Sequence, residues 1–196
     1  MAKLRKFTAY RNLKRPYTRF SKYKQLSYVR ARPVCKVVNF TVGDSNQKFE
    51  LEMHLISTTD LQIRDNSIES ARQTANRLLE SRVGKGNYFF QTRMYPHHVL
   101  RENPLASGAG ADRMSTGMAH SFGKPIGVAA QVFKGKKMFT VKINKAHYDT
   151  GKLALKRASY KVPCHCQIII QDNKLMQEKK IAHDKKTAAK NAKVAA

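Results

Sequence analysis

FELEMHLISTTDLQIRDNSIESARQTANRLLESRV, residues 49–83, carries two periods, and the change from one to the other decides the fold class. In its first part Phe49, Leu51, Met53 and Leu55 alternate with Glu50, Glu52 and His54, the period of a strand with one buried face. In its second part Ile68, Ala71, Ala75, Leu78, Leu79 and Val83 recur at helical spacing, which predicts a helix over residues 67–83. Asn66, with Glu69 three residues on, has the spacing of a capping box, and Gly84 suits the C-terminal cap. A half-buried strand followed by a helix with one apolar stripe implies an α+β arrangement, the stripe lying on a sheet.

Working outward, the strand period returns. Residues 37–42 read as a short strand, joined by a polar turn over residues 44–48 to the strand already described. Residues 88–95 alternate until Pro96 ends them. Residues 126–133 and 138–143 flank Lys134, Gly135, Lys136 and Lys137, the pattern of a hairpin with a basic tip whose buried face is Phe139, Val141 and Ile143. Asp149 or Thr150 opens a second helix to residue 160, with Leu153, Ala154, Leu155 and Ala158 as its apolar set, and Pro163 closes it. Residues 166–170 are a short buried strand, and there is no internal repeat. The expected architecture is a two-layer sandwich of mostly antiparallel sheet and two helices, flanked by a basic N-terminal arm (1–34) and a basic tail (172–196) around a domain over residues 35–171.

Charge speaks to partners rather than to fold. Thirty-eight Lys and Arg against thirteen Asp and Glu give the 196 residues a net charge of +25, self-repelling in isolation but natural on a polyanion. Residues 1–36 hold twelve of those cations and no acid, interleaved with Phe7, Tyr10, Tyr17, Phe20, Tyr23 and Tyr28. Cations displace counterions from phosphates and rings stack on unpaired bases, so the arm reads as an RNA anchor. Its candidate contacts are Arg5, Lys6, Arg11, Lys14, Arg15, Tyr17, Arg19, Phe20, Arg30 and Arg32. Arg72, Arg77 and Arg82 on the first helix are read as exposed cations that could touch RNA, although an exposed helical Arg is more often simply solvated. No apolar run approaches the roughly eighteen residues of a membrane span, and the N-terminus lacks the apolar stretch of an export signal. Cys35, Cys164 and Cys166 are an odd set in such a chain, which argues against disulfide staples, and Cys164-His165-Cys166 lacks the spaced pairs of a zinc site. Neither a metal nor a cofactor is expected.

The longest connection runs inside RMYPHHVLRENPLASGAGADRMSTGMAHSFGKPIGVAAQV, residues 93–132, far beyond the usual 4 to 6 residues or so. A phosphate-binding loop needs four residues before Gly-Lys and then Ser or Thr; here five separate Gly117 from Gly123, and Pro125 follows Lys124. His97, His98, Asp112, Ser115 and His120 cluster in sequence, yet their spacing matches no hydrolase elbow, zinc-protease helix or carboxylate pair. No enzyme is expected.

Ala111, Asp112, Arg113, Gly117, Met118, Phe122, Gly123, Lys124, Pro125, Gly127, Ala130 and Val132 together resemble the signature of one family. It is the universal large-subunit ribosomal protein, number sixteen in bacteria and ten-e in archaea and eukaryotes. Tyr95, Pro96, His97 and His98 and the residues to Asn103 are similar to the archaeal form, and residues 14–20 resemble the family's N-terminal segment. Ala119 and Gln131 stand where the family usually has Arg, each removing a cation that could hold a phosphate. The resemblance implies a sandwich of the α/β hammerhead type and a cytoplasmic place in the ribosome. Its implied partners are large-subunit rRNA, tRNA and neighbouring ribosomal proteins, with neither DNA nor membrane. It further implies a structural role in shaping the aminoacyl-tRNA cleft near the peptidyl-transferase region; the alternative is a free RNA- or tRNA-binding regulator. Around the long loop, residues 102–117, the candidate RNA contacts are Arg93, His97, His98, Arg101, Arg113 and Lys124, with Asn103, Gly108, Gly110 and Asp112 as the loop residues that reach the cleft.

Overall fold

Two antiparallel sheets share one pair of helices in the computed structural model, which describes residues 33–102 and 123–173 together with positions 6, 8, 11, 13, 23, 25 and 29. In chain order the elements are β1 (Thr41–Gly43), β2 (Leu51–Ser57), β3 (Leu61–Arg64), α1 (Asp65–Arg82), β4 (Tyr88–Thr92), β5 (His98–Glu102), β6 (Lys124–Val132) and β7 (Lys137–Ile143). A single 3-10 turn (Lys145–His147) then leads into α2 (Tyr148–Ser159), and β8 (Cys166–Asp172) follows. The larger sheet has the order β1-β4-β7-β2-β8 and the smaller β3-β6-β5. Both helices pack against each other, α2 on β2, β7 and β8 and α1 on β3, β4 and β6. The α+β class and the sandwich of antiparallel sheet with two helices hold.

One core runs between the layers. Met53, Leu55, Ile68, Ala71, Ala75, Leu79, Phe90, Phe139, Val141, Ile143, Ala154 and Leu155 are fully buried in it, so the apolar sets of β2, α1, β7 and α2 meet as their periods imply. Phe90 stacks on Phe139 with ring centroids 5.7 Å apart. At Gly151 the second helix comes so close to the sheet that a Cβ would meet the Met53 sulfur at 3.1 Å, which accounts for glycine inside a helix where it is otherwise unfavourable.

Three expectations need correction. The runs around Lys134 to Lys137 do not form a hairpin with one another. Gly135, at φ +81, and the bond from the Lys136 amide to the Phe133 carbonyl make a turn that carries the chain from the small sheet to the large one. Residues 37–42 are strand only from Thr41, because Lys36 and Val38 donate their amides to the Asp65 and Glu69 carboxylates on α1 instead of to a ladder. Those amides lie two residues apart on one side of an extended chain, and the carboxylates lie four apart on one side of a helix, so the spacings match. The capping box is absent: α1 starts at Asp65, and Glu69 is turned to Arg72 rather than back to the helix start. The C-terminal end is as expected, the Val83 amide bonding to the Leu79 carbonyl with Gly84 following at φ +87.

Arg72 is therefore not an exposed cation. It is 8% exposed and forks onto Glu69, Nε to Oε2 at 2.9 Å and Nη2 to Oε1 at 2.6 Å, with Gln73 adding a third bond at 3.0 Å. The Arg72 bond holds the Glu69 carboxyl below the ordinary carboxylate range. Arg72→Ala leaves that buried carboxylate without its charged partner and is expected to cost on the order of 2 to 3 kcal/mol. Arg77→Ala, at an exposed position, costs about 0.5 kcal/mol or less. Because the Glu69 value is depressed on folding, the pair's contribution is complete above the unfolded value of about 4.3 and fades as pH falls through the folded one. Urea melts of parent and Arg72→Ala should differ at neutral pH and converge in acid; a constant gap would show that Arg72 acts by packing.

Candidate RNA-binding surface

The small sheet presents one face to the core and the other away from it. Its register pairs Leu61 with Val132 and Ile63 with Ala130 on the core side. By alternation Gln62 opposite Gln131, Arg64 opposite Ala129 and His98 opposite Ala129 fall on the other side. Arg64 reaches along that face until its Nη2 lies 3.7 Å from where a Gly127 Cβ would stand, an ordinary contact distance. Gln131 Nε2 donates to the Leu13 carbonyl at 3.5 Å, which places Leu13 against this face. At Gln131, then, a neutral amide ties the backbone of the arm where a cation would have been free to hold a phosphate.

The long connection is mounted on the end of the same sheet. β5 and β6 pair up to Arg101 opposite Pro125 and Glu102 opposite Lys124, with a register shift between Leu100 and Arg101. The chain leaves this ladder at Glu102 and rejoins it after Gly123, whose φ is +93. A sheet end that clamps both stems fixes the origin of the intervening residues in space.

Sequence candidates divide accordingly. Arg101 is half-buried, Lys124 is exposed, and His98 belongs to the same ladder but is only 4% exposed, so its ring is inside the fold. His97 is half-buried with Nδ1 3.0 Å from the Tyr95 carbonyl. Lys6 and Arg11 are exposed. Arg93 is exposed too, its amide bonded to the Met138 carbonyl at the end of the large sheet, so it stands apart from Arg101 and Lys124. Arg5, Lys14, Arg15, Tyr17, Arg19, Phe20, Arg30, Arg32, Asn103, Gly108, Gly110, Asp112 and Arg113 lie outside the described residues, as does the tail beyond residue 173.

Two groups of polar residues are absent from the sequence reading. One is Gln62 and Arg64 on β3, where the alternation in Leu61, Gln62, Ile63 and Arg64 was the available signal. The other surrounds His54, which is fully buried on the polar side of β2 and not solvated as alternation implies. His54 Nε2 lies 2.9 Å from Lys137 Nζ and 3.1 Å from Gln171 Oε1, and Nδ1 lies 3.0 Å from Thr140 Oγ1, so both ring nitrogens are engaged. Burial first, and the Lys137 charge second, hold the His54 value below its ordinary range, which keeps the ring neutral. Lys142 on the same strand lies 5.8 Å from the centroid of Phe89. Among the described residues no group of three or more His, Cys, Asp or Glu is placed to hold a metal ion, and no described helix is long and apolar enough to cross a membrane.

Comparison with known proteins gives a consistent result. Residues 14–169 match the family described as ribosomal protein L16p/L10e. The large ribosomal subunit protein uL16 of Methanococcus aeolicus is 44% identical over 167 residues, 85% of this chain and 94% of the relative. That of Staphylothermus marinus is 42% identical over 159 residues, 80% of this chain and 91% of the relative.

Proposed function

Because this chain belongs to the ribosomal protein L16p/L10e family, we propose that it docks on large-subunit rRNA and helps shape the aminoacyl-tRNA cleft near the peptidyl-transferase region. Family membership supports the ribosomal RNA-binding role, and it also speaks against an enzyme. For the finer role the supporting observation is the β5–β6 ladder, which anchors both stems of the long connection between Glu102 and Lys124. In this reading the arm (1–34) holds rRNA, the domain over residues 35–171 carries the loop, and the loop acts at the cleft in the cytoplasmic ribosome. The connection has little charge of its own, Glu102 and Asp112 opposing Arg113, so affinity comes from its flanks, Arg101 and Lys124, with Arg93 contributing from the separate end of the large sheet. Small residues such as Gly108 and Gly110 suit close approach to tRNA.

Removing residues 105–110 is the test. The cleft role predicts near-normal occupancy of the protein in large subunits with slowed tRNA accommodation or peptide-bond formation. A connection that only packs on its own domain predicts loss of occupancy. Normal occupancy with normal translation refutes the cleft role, and failure to cosediment with large subunits at high salt favours a free RNA- or tRNA-binding regulator.

A further inference from the structure

Outside the residues proposed to contact RNA, the fold brings together a pair of nucleophiles to which that reading assigns no part. Cys164 lies in the bend that leads into β8 and Cys166 is the first residue of that strand. Their sulfurs are 3.5 Å apart, both residues are half-buried, and both pack against the main core. Between them the His165 carbonyl is pinned by the Thr58 amide at 3.2 Å and by the Thr58 hydroxyl at 2.8 Å, which holds the two thiols face to face. Cys35, the third cysteine, packs against Val29, Val99 and Val128 as well as against the main core.

We propose that Cys164 and Cys166 form a peroxide-sensitive dithiol, a modification site that closes to an intrachain disulfide at the start of the edge strand β8. The chemistry follows from how the pair shares protons. Cys166 Sγ lies 3.5 Å from Cys164 Sγ and 3.4 Å from the Cys164 carbonyl; its S–H, when donated to the sulfur, stabilises a Cys164 thiolate and lowers its value to about 7, while the same contact and burial push Cys166 up. Ser57 contributes less, because its hydroxyl donates to the Thr59 carbonyl at 2.7 Å and lies 3.8 Å from Cys164 Sγ. Cys164 is thus the attacking thiolate and Cys166 the resolving thiol.

The Cys164 sulfur attacks one oxygen of hydrogen peroxide; the O–O bond breaks, hydroxide leaves and is protonated to water, and Cys164 becomes a sulfenic acid, oxidised by two electrons. Cys166 then attacks that sulfur, the S–S bond forms and the S–O bond breaks. The departing hydroxide takes the Cys166 proton as a second water, and a dithiol reductant reverses the change. The resting state holds free thiols, in keeping with a reducing compartment where such bonds are transient.

The full chain, reduced and then exposed to hydrogen peroxide at pH 7, should lose two of its three thiols, with Cys35 still open to alkylation and residues 164 and 166 linked within one peptide. Cys164 should react about tenfold faster than Cys35. Cys166→Ser should stop at a Cys164 sulfenic acid that dimedone traps, and Cys164→Ser should slow oxidation to the rate of Cys35. Equal rates for all three cysteines, a bond to Cys35 or to a second chain, or no dimedone adduct in Cys166→Ser would each overturn the proposal.

Discussion

Leu78→Asp is expected to unfold the protein at temperatures where the parent is stable. Leu78 is 5% exposed on the face of α1 that meets the core, beside Ala75 and Leu79, both fully buried. Its replacement loses roughly 2 to 3 kcal/mol of apolar burial and places a carboxylate where desolvation costs several kcal/mol more. Set against a total stability of about 5 to 15 kcal/mol, that sum is most of what holds a domain of this size together. Arg77→Ala, one residue earlier on the exposed side of the helix, should shift stability by about 0.5 kcal/mol or less. Thermal melts followed by far-ultraviolet circular dichroism decide it: equal midpoints for Leu78→Asp and the parent would mean that α1 does not pack as described.

The second large effect concerns affinity. Replacing Lys3, Arg5, Lys6, Arg11, Lys14 and Arg15 with Gln removes six cations from the arm. If each holds a phosphate, the slope of log affinity against log salt becomes shallower by about 5, and between 50 and 200 mM salt the variant loses about 10³-fold less affinity than the parent. Charge removal is a better probe here than truncation. Val29 is buried against Val99 and Val128, and the Leu13 carbonyl accepts from Gln131, so deleting residues 1–34 would uncover the small sheet as well as remove charge. An unchanged slope on an rRNA fragment, measured by filter binding, would make the arm's cations bystanders.

The break in period between residues 55 and 67 is enough to establish an α+β fold, because apolar side chains at spacing two and then at helical spacing can be buried together only with a helix lying on a sheet. Both helices were legible on those grounds, as were β2, β4, β7 and β8 to within a few residues. The family signature was legible too, since it is a matter of residue identity and spacing. Arg101 and Lys124 could be named as candidates, but that they stand at the mouth of one ladder could not, because β5 shows little alternation of its own and is completed by pairing with β6.

Tertiary structure alone decided the partners. Val128 and Val141 lie on neighbouring runs joined by a tight turn, which in sequence reads as a hairpin, yet they end in different sheets. Local spacing says which face of a segment is apolar, not which other segment covers it. The polar residues show the same division more sharply: Glu69 in a capping frame binds Arg72, Arg72 in an exposed frame is buried, and His54 on a polar face is sealed beneath Lys137 and Thr140. A charge or a ring nitrogen goes where its hydrogen bond can be made: for Glu69 and Arg72 that is one helical turn away, and for His54 it is a strand brought in from 86 residues away, where Thr140 stands.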